Sequence, residues 1–160
     1  MSNWHTGYLL QGILIGLVLL SAQAWAGEKV TRGSGWVITG KIEVPPRKAE
    51  IYYQDGKPVA VISGNQYTPW CRLSFNTKDK QRRIFDKGSF NITKVGYDDE
   101  AINDATTSYK ITMALKSTDV ADVNQIVCGS WGGNSDNYLT VEQIRQVMAG
   151  VLKLNLKTGK

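Results

Sequence analysis

The 160-residue chain contains one histidine, His5, which lies in an N-terminal stretch with the pattern of a cleavable export leader. Loss of that stretch leaves a protein without imidazole. Ser/His/Asp hydrolysis, Cys/His nucleophilic catalysis, His-ligated zinc and imidazole pH switching all need the ring, so none is expected of the mature chain. Cysteine is scarce too, with Cys71 and Cys128 alone and no Cys-x-x-Cys pair. There is no Gly-x-Ser-x-Gly elbow, no Gly-rich phosphate loop and no His-Glu-x-x-His. No cofactor, no metal and no catalytic residue is assigned from the sequence.

Charge is absent from residues 1–26, which hold no Lys, Arg, Asp or Glu. An apolar run from Tyr8 to Leu20 is followed by Ser21-Ala22-Gln23-Ala24-Trp25-Ala26, which puts small residues at the two positions a signal peptidase inspects. Cleavage is expected before Gly27, although the n-region lacks its usual Lys or Arg. The alternative is a retained anchor, the chain's one route to a membrane. The 13-residue run falls short of the roughly 20 residues that span a bilayer.

Residues 27–160 fit one domain and are long enough to bury a core. They hold all 19 basic and 14 acidic side chains, a net +5 that aids solubility and falls well short of a nucleic-acid signature. In an exported chain two cysteines meet oxidising conditions, so a Cys71–Cys128 disulfide is expected. Both sit in alternating apolar stretches and would point inward from strands. A catalytic thiol would need an activating base, and no histidine is there to serve.

Alternation of period two dominates the mature chain. Trp36, Ile38, Gly40, Ile42 and Val44 predict one strand ending at Pro45-Pro46. Residues 51–54 and 57–62 flank Asp55-Gly56, a pair suited to a tight hairpin turn, and Pro58 places the second arm at a sheet edge. Further strands are expected over 70–75, 89–95, 109–116 and 152–156. Thr140-Val141-Glu142-Gln143 fits a capping box that opens a helix carrying Ile144, Val147 and Met148, with Gly150 as its stop. The expected fold is mainly β (α+β), a small antiparallel barrel or sandwich of about seven strands with one C-terminal helix.

The arrangement Tyr67-x-Pro69-x-Cys71-x-Leu73, then Gly88-x-Phe90-x-Ile92-x-Lys94-Val95, then Ile126-x-Cys128, then Leu139-Thr140-x-Glu142-x-Ile144-Arg145 resembles small exported proteobacterial proteins of uncharacterised function. The resemblance covers most of the mature chain. It implies a bacterial periplasm and no particular activity.

Three segments carry candidate function. From Arg72 to Lys94 seven basic residues face two acidic ones, and Lys78, Lys80, Arg82 and Arg83 lie at the centre. Beside Trp70 and Phe75 this loop could hold phosphate, lipid headgroups, glycan or nucleic acid through charge and stacking. It could equally be a solvated hairpin tip that guards an edge. Asp98-Asp99-Glu100, with Asn103 and Asp104, offers only oxygen ligands without EF-hand spacing, and its bland reading is a polar loop or a helix start. Residues 129–137 form a Gly- and Asn-rich segment in which Trp131 either meets a partner or folds back over the disulfide. Two functions follow. The first is a non-catalytic periplasmic binding or adaptor module for a protein or anionic envelope component, using Lys78, Lys80, Arg82, Arg83, Trp70 and Trp131. The second is a carboxylate-dependent envelope glycan hydrolase using Asp98, Asp99, Glu100 or Asp136.

Overall fold

Asp55 and Gly56 take φ of 49° and 72° and reverse the chain as the Asp-Gly pair predicts, in a computed structural model that describes residues 28–60, 62, 66–117, 119–120, 122–133 and 137–157. The leader, His5 and the cleavage point before Gly27 lie outside the described residues, as do Asn134, Ser135 and Asp136. Among the described residues, ten strands and one helix follow in the order β1 (Gly35–Ile38), β2 (Ile42–Val44), β3 (Glu50–Gln54), β4 (Lys57–Val59), β5 (Trp70–Phe75), β6 (Arg83–Phe85), β7 (Ser89–Asn103), β8 (Thr106–Lys116), β9 (Val123–Gly133), α1 (Val141–Val147) and β10 (Leu152–Asn155). Eight strands form one antiparallel sheet in the order β10-β1-β7-β8-β9-β5-β3-β4, curled into a half-barrel, and β2 pairs with β6 in a second small sheet.

Alternation decides which side chains go inside. Ile51 and Tyr53 on β3, Cys71 and Leu73 on β5, Ile111 and Met113 on β8, and Ile126 and Cys128 on β9 are buried on one face. The helix closes that face, with Ile144 and Met148 fully buried against the core. Its start is the predicted capping box: the Gln143 N–H donates to the Thr140 hydroxyl, and the Gln143 side chain accepts from the Thr140 N–H at 2.8 Å. Cys71 and Cys128 face each other directly across β5 and β9 and are bonded, as expected. Pro58 opposes Tyr53 one step beyond the turn-closing Gln54–Lys57 pair, so its nitrogen points away from β3 and costs the edge strand β4 no ladder bond.

The strand expected over residues 36–44 is broken in two. The Thr39 and Gly40 N–H groups both donate to the Val151 carbonyl, and Gly40 passes so close to Gly150 that any Cβ would overlap its carbonyl oxygen. That close approach turns the chain out of the large sheet and sends Ile42 and Val44 into the small one. The acidic stretch expected as a loop or helix start lies inside β7, which pairs with β8 as far as Asn103. Likewise β9 continues through Trp131 to Gly133 because the long β8 supplies a ladder for it.

Two outcomes test this core. Replacing both cysteines by alanine should lower stability by about 4 kcal/mol if release of the 57-residue loop dominates, read as a lower urea midpoint. Burial pushes the Tyr53 hydroxyl up to about 12, so the folded chain keeps that proton while the unfolded chain loses it from its ordinary value of 10. The stability tied to it is complete below about pH 10 and declines as pH rises toward about 12, and Tyr53→Phe should flatten that decline in urea titrations at stepped pH.

Candidate functional site

On the face of the sheet opposite the disulfide, Glu50 and Tyr52 of β3, Arg72 and Ser74 of β5 and Gln125 of β9 project outward by the same alternation that buries their neighbours. They floor a groove of about 890 Å³. One wall comes from the edge strand, with Pro58 and Val59, and the other from the turn after β2, where Pro45-Pro46 ends the strand and Arg47 and Lys48 follow. Arg47 sits in the left-handed region at φ 60°, which costs a non-glycine residue roughly 1–2 kcal/mol. Its N–H donates to the Asp79 carbonyl at 2.6 Å, which holds the turn against the basic loop that brings Lys78 to the groove.

Arg83 anchors that loop. Its guanidinium pairs with Asp122, donates to the Thr77 hydroxyl and carbonyl and to the Lys48 carbonyl at 2.9 Å, and lies 5.0 Å from the Phe75 ring centroid. Asp122 in turn accepts from the Thr77 N–H and hydroxyl. With a side chain 12% exposed, Arg83 is a structural tie between loop and wall. Arg82 pairs with Glu43, whose carboxyl the Lys41 hydrogen bond and charge hold below the usual carboxylate value. Arg72 bridges to Glu50 at 3.3 Å, and the Tyr52 hydroxyl donates to the same carboxylate. Arg47, Lys48, Lys78 and Lys80 make no ion pair among the described residues.

The sequence-predicted residues therefore divide. Lys78 lines the groove, Lys80 and Arg82 stand exposed on the loop, and Arg83 is engaged within the chain. Trp70 is only 7% exposed, with its ring beside Tyr52 at 6.5 Å, so the half-buried Tyr52 is the aromatic that the groove presents. Trp131 lies on the far reach of β9, edge-on to Tyr67 at 6.1 Å, away from both the groove and the disulfide. Arg47, Lys48, Tyr52 and Ser74 were not picked out from sequence. The Pro45-Pro46 break just before Arg47-Lys48 was the available signal.

A second cleft of about 610 Å³ lies between β7, β8 and the start of α1, walled by Tyr97, Ile111, Tyr138 and Val141. The Tyr138 hydroxyl donates to Asp99 at 2.8 Å, a bond that raises the tyrosine pKa. Strand alternation separates the acidic trio: Asp98 and Glu100 share one face of β7 and Asp99 takes the other, while Glu100 pairs with Lys110 at 3.2 Å. Among the described residues no group of three His, Cys, Asp or Glu side chains comes together as a metal site.

Arg83→Ala should destabilise the fold by about 2–3 kcal/mol, because it leaves Asp122 without its cation and the loop without its tie. Lys80→Ala should stay within about 0.5 kcal/mol of the parent, and urea denaturation of the two variants side by side measures the difference. Compared with protein-family models, curated proteins and solved structures, the chain has no match.

Proposed function

We propose that the chain is exported to a bacterial periplasm, loses its leader before Gly27 and works there as a non-catalytic binding module that holds an anionic envelope component or protein surface in the groove. Arg47, Lys48 and Lys78 carry this reading. They converge on one concavity and make no ion pair among the described residues, unlike the neighbouring Arg72, Arg82 and Arg83. Unpaired cations around a low-dielectric concavity raise the local potential and draw anions to it. The buried disulfide suits an oxidising compartment. No helix among the described residues is long and apolar enough to cross a membrane.

The test is co-sedimentation of the purified chain with isolated peptidoglycan sacculi and with outer-membrane vesicles. Binding to at least one fraction should fall between about 0.1 M and 1 M salt, as the screening length shrinks from about 10 Å to about 3 Å. The triple variant Arg47→Gln, Lys48→Gln, Lys78→Gln should bind at least ~10-fold more weakly while unfolding at the same urea concentration. Binding indifferent to both salt and the triple variant, or no binding to either fraction, would overturn the proposal.

A further inference from the structure

Resting on that reading of the groove, we infer that its ligand is an acidic polysaccharide, a chain of sugar rings bearing carboxylates. The floor supplies the first reason. Three side chains lining the groove each bury a polar atom that finds no hydrogen-bond partner among the described residues: Arg72 Nε, Ser74 Oγ and Asn124 Oδ1. Ser74 as a whole is 9% exposed. A fourth such atom, Trp70 Nε1, lies on the same sheet face behind Tyr52. Buried polar atoms are nearly always satisfied, so three in one groove mark an unmet demand for hydrogen bonds.

The chemistry of that demand selects the ligand. Arg72 Nε can only donate, Asn124 Oδ1 can only accept, and the Ser74 hydroxyl does either. Glu50 and Glu43 add acceptors at the margin. A carboxylate or the interior of a polyphosphate chain offers acceptors alone, so it leaves the Asn124 oxygen unmet. A sugar hydroxyl both donates and accepts, and a row of them matches a mixed floor. The Tyr52 ring, with Pro58 and Val59 beside it, gives the apolar surface on which the C–H face of a pyranose packs. The rim cations come from two segments, Arg47 and Lys48 from the turn after β2 and Lys78 from the basic loop, and meet carboxylates spaced along a chain.

Two other polyanions fit less well. Single-stranded nucleic acid binds on successive stacking aromatics, and the groove presents Tyr52 while its other aromatic, Phe75, is 4% exposed. An acidic peptide that adds as a strand needs a free donor row, and the neighbouring edge is the short β4 with Pro58 at its centre.

Calorimetric titration of the purified, disulfide-bonded chain tests the inference with oligogalacturonate and alginate oligomers, methyl-esterified oligogalacturonate and inorganic polyphosphate. At least one free uronate should bind more tightly than polyphosphate, and esterification should weaken oligogalacturonate binding ~10-fold or more if that is the uronate held. Ser74→Ala removes an unpartnered hydroxyl and should leave folding intact. It should weaken uronate binding ~5–10-fold, and Tyr52→Leu should weaken uronate binding by as much while leaving polyphosphate binding unchanged. If polyphosphate binds as well as the uronates and both variants are silent, the groove is a plain anion site: the inference falls and the proposed function stands. If no uronate binds, the inference falls, and the sedimentation of the triple variant decides separately whether the proposed function falls with it.

Discussion

Six register pairs hold β5 against β9, and they are the ladder through which β3, β4 and β5 join the rest of the large sheet. The two strands are neighbours in space with β6, β7 and β8 between them in sequence. Such a long-range pairing costs loop-closure entropy before it returns any contact. The Cys71–Cys128 bond lies within this seam, across directly opposed residues, and removes much of that cost from the unfolded ensemble. The remaining elements depend on the seam. Without it α1 loses β5, one of the strands it packs against, and the buried Tyr53 and Ile51 lose the neighbours that exclude water from them.

The groove is the other side of the same seam. Cys71 points into the core, so Arg72 must point out, and the same rule places Ser74 and Gln125 beside it. A covalently tied pair of strands makes a firm floor, and the walls are fixed by different means. One is an edge hairpin set by Asp55-Gly56. The other is a turn and loop joined by the Arg47 N–H and by Arg83, which spans Asp122, Thr77 and Lys48. Charge is therefore used in two ways within one short stretch. Arg83 is desolvated and holds the loop, while Lys78 is left free to meet solvent or ligand.

Much of this was legible from short-range patterns. The disulfide, the Asp-Gly turn, the proline edge, the capping box and the inward set of Ile111 and Met113 each depend on a few adjacent residues whose chemistry admits little choice. Features that depend on distant segments were not legible. The break at Gly40 comes from the backbone of Gly150, more than a hundred positions away, and no periodicity within residues 36–44 records it. β7 and β9 run past their apolar stretches because each finds a partner in β8, so Asp98, Asp99, Glu100 and Trp131 are strand residues despite loop-like composition. The basic block around Lys78 to Arg83 was visible as charge. Its division into an anchor and free cations was not, because Asp122, Lys48 and Phe75 meet Arg83 only in three dimensions.

Among the described residues the half-barrel does not close on itself, which leaves two rims where main-chain groups lack a neighbouring strand, and the rims differ. At one, β4 is three residues long with Pro58 in the middle. At the other, β10 turns Lys153 and Asn155 to solvent while Leu152 and Leu154 stay inside. Fibres grow when each added copy exposes a fresh templating surface. Pro58 leaves β4 without one main-chain donor, so the two rims are unequal templates for a second copy.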